Sequence, residues 1–537
     1  YCKAKGVLPL CTPWDLSSLN ILEDYGMKAY KVSSADLTNS ELLEALAKTG
    51  KPLICSTGMS TELEIKRTIQ FFHDTQTPFI LLHCNSTYPT PYRDVNLRYM
   101  KRLEELSGNL VGYSGHERGF ITPVIAVGLG AKIIEKHFTI DKDMEGNDHN
   151  VSLLPGEFAD MVKQIRLTEE VLGDDRVRTI TQGESINREV LAKSLVTKQN
   201  IKKGNIITRE MIEVKSPGQG LQPYLIDKLL GIKAKRDFLS GDYFFESDIM
   251  DSISLARNYS FNRLFGIPAR YHDYDSLISK TNVDFVEFHL SYRDLDENLS
   301  NIFNKKQKID FLVHSPELFY GDHILNLCSD SLEYRKRSID ELTRVVEVSR
   351  SLKDYFPSTT KPLIVVNVGG YDKAVFLPKA KKTKMYEQVA NALDQVDSSG
   401  VELIIQTMPP FPWHFGGQSH HNLFVDPHEI SDFCKKTGYK ICLDISHSQM
   451  ACSYFNWSLS DFIKIVSIDV AHLHISDASG IDGEGIQIGE GDVNFDELAK
   501  TLDSLTPNIP FIPEIWQGHK QHGAGFWQGL EFLEKYL

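Results

Sequence analysis

Short apolar runs at residues 7–11, 29–33, 52–56, 79–83, 110–113 and 132–137 are separated by stretches long enough for amphipathic helices. That alternation predicts parallel strands joined by crossover helices. One helix start is explicit, because Thr61-Glu-Leu-Glu64 forms a capping box directly after Ser56-Thr-Gly-Met59. Polar residues gather at the C-terminal ends of these six runs, which predicts a β/α barrel two strands short of eight. Phe158, Met161, Val162, Ile165 and Leu172 follow helical spacing and close the region.

The texture changes at residues 174–187. Between 188 and 251 short β-type segments carry an internal echo, Lys203-Gly-Asn-Ile-Ile-Thr-Arg-Glu against Ser240-Gly-Asp-Tyr-Phe-Phe-Glu-Ser. A glycine turn before an apolar pair, repeated after roughly 37 residues, suits a small pseudo-symmetric β-clip. Strand-helix alternation then returns with eight apolar runs, at 265–269, 285–290, 311–314, 362–368, 401–406, 440–444, 470–475 and 510–515. Eight is the number of a closed β/α barrel. The predicted organisation is therefore α/β: an incomplete barrel over 1–175, a β-clip over 188–251, and a complete barrel over 263–537.

Length agrees, since 537 residues at ~150 per domain exceed what one core holds. With 41% hydrophobic and 24% charged residues, neither a disordered nor a collagen-like chain fits. The 58 basic against 72 acidic residues, net −14, argue against nucleic acid as a partner. No apolar run reaches the ~20 residues of a membrane span. Eight scattered cysteines without C-x-x-C pairs suit a reducing, cytoplasmic setting. Tyr1, with no Met and no basic leader, reads as a cut, and Lys379-Ala-Lys-Lys-Thr-Lys384 as a solvated loop.

In the first region Gly112-Tyr-Ser-Gly-His116 and Glu135-Lys-His137 each set a histidine just past a strand, and Asp148 follows in an acidic loop. Either histidine alone suits a structural role, but two imidazoles and a carboxylate at neighbouring strand ends suit a divalent cation with open positions. Lys31, Ser34, Ser56 and Ser114 offer an ammonium and hydroxyls to an anion such as phosphate.

These strings resemble the sialic acid synthase family, which joins phosphoenolpyruvate to an acetamido-hexose. The resemblance runs through Cys11-Thr12-Pro, Tyr30-Lys-Val-Ser-Ser-Ala-Asp36, Ser56-Thr-Gly-Met59, Leu82-His-Cys-Asn-Ser86-Thr-Tyr88-Pro-Thr-Pro91, Tyr113-Ser-Gly-His116 and Glu135-Lys-His-Phe-Thr139. It implies that His116 and His137, with Asp148, hold Mn2+ or Mg2+, and that Lys31, Ser34, Ser56 and Ser114 hold phosphoenolpyruvate. Thr12, Ser86 and Tyr88 are then substrate contacts, and Asp36 and Glu135 act in catalysis. It also implies two strands before Tyr1, bearing a glutamate and a phosphate-binding lysine. Lys215-Ser-Pro-Gly-Gln-Gly-Leu221 resembles the signature of the antifreeze-like (SAF) domain that caps the partner subunit's site in dimers of these synthases. Where the sialic acid enzymes have arginine, Ser216 stands here, so no guanidinium reaches the acceptor sugar from this position.

In the last region Gln406, Asp444-Ile-Ser-His447, His472-Leu-His474 and Glu514 end successive strands, and such a set at one barrel rim suits a metal. Trp413, in Phe411-Pro-Trp-His-Phe-Gly-Gly, suits sugar stacking and lid packing equally. With Ile488-Gly-Glu-Gly-Asp-Val-Asn-Phe495, these strings resemble the xylose isomerase-like barrels of sugar and sugar-phosphate isomerases and epimerases, a superfamily that includes zinc endonucleases. The resemblance implies Mn2+, Mg2+ or Zn2+ on Gln406, Asp444, His474 and Glu514, with Glu514 as principal base and His447 or His314 as a second proton donor. An amide at Gln406 cannot abstract a proton, which weakens two-base epimerisation. A non-catalytic sugar-binding or scaffold barrel is the alternative, and DNA repair is disfavoured by the charge.

Overall fold

The computed structural model describes residues 1–250, 254–414 and 417–537. The last residue of the clip as bounded from sequence, 251, and residues 415 and 416 of the Trp413 loop lie outside them. The chain divides into two compact units, Tyr1–Arg178 and Thr179–Leu537.

The first unit is built on five parallel strands in sequential order: β1 (Tyr30–Val32), β2 (Leu53–Ser56), β3 (Phe79–Cys84), β4 (Val111–Gly115) and β5 (Ile134–Lys136). Helices between them bury apolar faces on the sheet. The Glu62–Asp74 helix starts at the expected capping box, with Thr61 N–H donating to Glu64 Oε2 at 2.7 Å, and buries Ile65, Ile69 and Phe72. The sixth expected strand, 7–11, is not one. It has a single rung, Lys31 N–H to Cys11 O at 3.1 Å, and Val7 and Leu8 are 58% and 62% exposed. Apolar sequence without a ladder of paired backbone groups does not make a strand. In the closing helix, Pro155–Leu172, only Met161 of the expected apolar face is buried.

In the second unit the clip pairs β6 (Ser194–Thr197) with β7 (Ile212–Lys215) antiparallel, around Leu195, Ile207, Phe238 and Phe244. The sequence echo is structural. Gly204 and Gly241 both turn at positive φ, +88° and +93°, and Gly204 N–H donates to Ala234 O while Gly241 N–H donates to Thr197 O.

The barrel that follows has all eight expected strands: β8 (Gly266–Ala269), β9 (Phe285–His289), β10 (Asp310–His314), β11 (Leu363–Val366), β12 (Glu402–Gln406), β13 (Lys440–Asp444), β14 (Val470–Ile475) and β15 (Phe511–Pro513). A Phe265–Phe511 bridge closes the ring. Side chains alternate along a strand, so Phe285, Glu287 and His289 share the inner face, as do Leu312 and His314, Ile404 and Gln406, and Cys442 and Asp444. The lower interior layers are apolar, with Phe285 on Leu312 and Ile512, and Val365 on Ile404 and Cys442. The upper layer is polar. The basic run read as a loop begins the Lys379–Leu393 helix instead. Lysine is a good helix former, and Lys382 and Lys384 reach Glu429 and Asp330. Among the described residues no helix is long and apolar enough to cross a membrane.

Candidate active sites

In the first unit His116 and His137 stand just past β4 and β5, while Lys31, Ser56, Ser114 and Glu135 stand on β1, β2, β4 and β5 themselves. The His116 and His137 rings lie 5.0 Å apart, and Asp148 Oδ2 is 3.6 Å from His137 Nδ1. His116 Nδ1 is held by Asn85 O at 2.9 Å, which leaves Nε2 for a ligand. Tyr88 lies 4.3 Å from the His116 ring. Imidazole and carboxylate are donors of the kind a divalent cation takes, here more widely spread than the clusters of the second barrel.

Beside it, Glu135 Oε1 accepts from Ser114 Oγ at 2.8 Å and lies 3.6 Å from Lys31 Nζ. Ser34 Oγ accepts from Gly58 N–H at 3.2 Å. A Cβ on Gly58 would stand 2.2 Å from Ser86 Oγ and 2.8 Å from Ser34 Oγ, so glycine there leaves both hydroxyls room. Ser56 Oγ is buried without a partner, an acceptor-seeking group suited to an anion. Thr12 is half-buried on the extended segment beside β1. Asp36 is tied into its own loop by Ser33 Oγ and Asn39 Nδ2.

Two features of this site are absent from the sequence reading. Cys84 Sγ is 3.8 Å from His116 Nδ1. Burial raises its thiol, but the His116 and Ser34 contacts outweigh that and leave it below the usual value. Beneath the histidines, Lys136 Nζ and Glu117 Oε1 form a wholly buried pair at 3.0 Å, joined by Tyr113 OH. A Cβ on Gly115 would stand 2.6 Å from Glu117 Oε2, so glycine lets the carboxylate fold under β4.

In the second barrel Gln406, Asp444, His474 and Glu514 converge as expected. Glu514 Oε2 is 2.5 Å from His474 Nδ1, and Asp444 Oδ2 is 3.8 Å from it. The centre is held by the amide nitrogen of Gln406, at 3.0 Å from Asp444 Oδ2, 3.1 Å from His474 Nδ1 and 3.4 Å from Glu514 Oε2. Gln406 Oε1 accepts from His314 Nε2 at 3.1 Å. To ligate through oxygen the amide must turn over. A second set, His314 with His474 and Glu514, brings its ligand atoms within 4.8 Å of one another, so the donors fit a cation with or without Gln406.

The strongest support comes from Glu287, fully buried on β9. Its Oε2 accepts from His472 Nε2 at 2.7 Å and from His474 Nε2 at 3.2 Å, and its Oε1 lies 3.0 Å from His474 Nε2, which turns His474 Nδ1 toward the site. Burial would raise the Glu287 carboxyl, but the two imidazoles hold it well below its usual value. Burial likewise opposes charge on His474, yet Cys442, Glu287 and Glu514 raise it well above the ordinary histidine value. The signal for Glu287 was available, since a carboxylate two residues before His289 in Phe-Val-Glu-Phe-His must face the interior.

Asp444 Oδ1 caps its helix by accepting from His447 N–H, and His447 Nε2 meets Glu484 Oε1 at 3.0 Å. Against the cost of burial, Asp444 and Glu484 push His447 up to about 10. Trp413 does not line this cavity. Its indole N–H donates to Asp482 Oδ1 at 2.7 Å and its ring lies on Gly183, the lid-packing alternative.

Polar strand ends on two α/β sheets, with a β-clip between them in sequence, are the arrangement of β/α-barrel proteins, which place their active sites at those ends. Residues 1–177 match the NeuB family, 192–250 the SAF domain, and 276–536 the xylose isomerase-like TIM barrel. An uncharacterized protein of Methanocaldococcus jannaschii is 42% identical over 258 residues, covering 47% of this chain and 74% of that protein. The N,N'-diacetyllegionaminic acid synthase of Campylobacter jejuni is 36% identical over 241 residues, covering 44% of this chain and 72% of that protein. A crystal structure of a D-tagatose 3-epimerase-like protein covers 51% of this chain and 96% of its own, at 20% identity and a TM-score of 0.35. The chain belongs to the NeuB family and carries in addition an SAF domain and a xylose isomerase-like TIM barrel.

Proposed function

We propose that the first unit condenses phosphoenolpyruvate with an acetamido-hexose to a nonulosonic acid, and that the second barrel is a metal-dependent sugar or sugar-phosphate isomerase or epimerase. The observation that carries the first half is the convergence of His116, His137 and Asp148 on one side of Glu135 with Lys31, Ser34, Ser56 and Ser114 on the other. The relative named as a legionaminic acid synthase supports it. A cation on the histidines would polarise the acceptor's aldehyde. Lys31 and the serine hydroxyls hold the phosphate, and Glu135, fixed by Ser114, orients the reacting ends. The C2=C3 π pair of phosphoenolpyruvate forms the bond from C3 to the aldehyde carbon, whose oxygen becomes a hydroxyl; water adds at C2 and gives up its protons, and the C2–O bond to phosphate breaks to leave a C2 ketone and inorganic phosphate. Ser216 in place of arginine favours an acceptor other than N-acetylmannosamine, and the SAF domain serves a homodimer by covering the partner's site. Incubating the full-length gene product with Mn2+, phosphoenolpyruvate and a panel of acetamido-hexoses tests this by mass spectrometry; no phosphate release with any member refutes it.

In the second barrel Glu514 is the base, and Gln406 holds substrate or ligand without moving a proton. A second reading, a sugar-binding barrel without catalysis, is favoured by one observation: the Gln406 amide nitrogen donates into the place where a cation would stand. Metal analysis separates the two, because a bound equivalent lost on Glu514→Gln supports the isomerase reading and its absence the scaffold.

A further inference from the structure

The helix Gln182–Leu191 precedes the clip in sequence, yet both of its ends are fastened to the second barrel. Thr181 and Glu184 start it with a capping box. At that end Gln182 N–H donates to Asp482 Oδ2 at 3.1 Å, and Glu484 N–H donates to Gln182 Oε1 at 2.8 Å. Asp482 also accepts from Trp413 Nε1 and, at 3.0 Å, from Gln418 Nε2, so one carboxylate ties the loops after β12 and β14 to the helix. A Cβ on Gly183 would stand 2.3 Å from the Trp413 ring, so only glycine lets the helix lie this close. At the far end Glu189 pairs with Lys520 Nζ at 3.0 Å and accepts from Gln517, both in the segment after β15.

Gln182 and Glu189 are two turns apart on one helix face, roughly 10 Å. Both line a cavity of about 310 Å³ that also takes in Asp444, His447 and Glu514. The helix therefore spans the barrel mouth from the fifth and seventh loops to the eighth.

We infer that the Gln182–Leu191 helix is the fixed roof of the second site, and that Gln182 is a positioning residue that holds Glu484 against His447. The inference rests on the proposed metal site of this barrel. The ligand beneath is a small polar molecule of sugar size, enclosed by the roof together with the barrel's own loops, from which Arg270, Glu484, Trp516 and His519 also line the cavity. A covered site exchanges its contents slowly with solvent.

The test uses the full chain loaded with Zn2+ and follows metal transfer to the chelator 4-(2-pyridylazo)resorcinol. The phase that disappears in His474→Ala belongs to the second barrel. Asp482→Ala, Gly183→Val and Gln182→Leu should each speed that phase by about tenfold, with the thermal transition and the remaining zinc phase unchanged. Gln182→Glu keeps an acceptor for Glu484 N–H and should release zinc at the wild-type rate, a rescue that a merely structural role would not show. Equal rates in all the roof variants overturn the roof while leaving the metal reading standing. Absence of any phase sensitive to His474→Ala overturns the metal reading and the inference with it.

Discussion

The two candidate sites solve the same problem with opposite economies of charge. In the first unit the His137 and Asp148 side chains are 27% and 63% exposed, and the buried ion pair, Lys136 with Glu117, lies below the ligands. In the second barrel Asp444 and His474 are almost wholly buried, and the buried carboxylate Glu287 touches a ligand directly. An exposed ligand set is solvated by water and needs little protein around it. A buried one needs every charge partnered, because an uncompensated buried charge costs several kcal/mol. The first site should therefore lose chemistry without losing its fold, whereas the second should lose metal through residues that never contact it.

The largest effect tests the first half of that contrast. His116→Ala or His137→Ala in the full-length protein should lower Mn2+-dependent condensation by about a thousandfold or more, some 4 kcal/mol of activation barrier. The unfolding midpoint should move little. Condensation at the normal rate in the double variant would remove both histidines from the site.

Next comes the pair beneath them. Lys136→Met strips buried Glu117 of its ion-pair partner, leaving it the Tyr113 hydroxyl, and should destabilise the first unit by about 3–5 kcal/mol. Denaturant melts of the wild type and variant measure it. A shift below 1 kcal/mol would mean that water reaches Glu117, and would blur the distinction between the two regions.

What the sequence made legible follows from how local each signal is. The eight strands of the second barrel were readable because each is an apolar run with polar residues at its end, and those strand-end positions put Gln406, Asp444, His474 and Glu514 on one rim. Residues 7–11 carried the same apolar signal and failed, since pairing is a non-local property that composition does not report. The Lys379 run misled for the opposite reason: exposed lysines fit a loop and a solvated helix face equally, and helix propensity decided. Glu287, Glu484 and the roof helix were not read because their meaning lies in partners 187, 37 and 302 residues away.

Removing support from a buried ligand should give an intermediate effect. Glu287→Gln keeps the shape but removes the charge that orients His474 and His472, and should weaken second-barrel metal affinity about 10- to 100-fold. Equilibrium dialysis of the full chain checks it. An unchanged affinity would show that the fold alone aims His474, and the contrast with the first site would lose its basis.

The smallest effect concerns the residue that breaks the family pattern. Gln406→Glu replaces an amide nitrogen, which now donates to Asp444, His474 and Glu514, with a carboxylate among two others. Without metal the change crowds like charges in a buried site and should destabilise the barrel. With metal the added charge ligates, and affinity should rise by about tenfold. The two signs make the variant diagnostic: its melting temperature should fall below wild type in chelator and meet or exceed it in excess Zn2+ or Mn2+. A variant destabilised equally with and without metal would show that the Gln406 amide, not a cation, is the natural occupant of the centre, and the second barrel would then be the binding module rather than the enzyme.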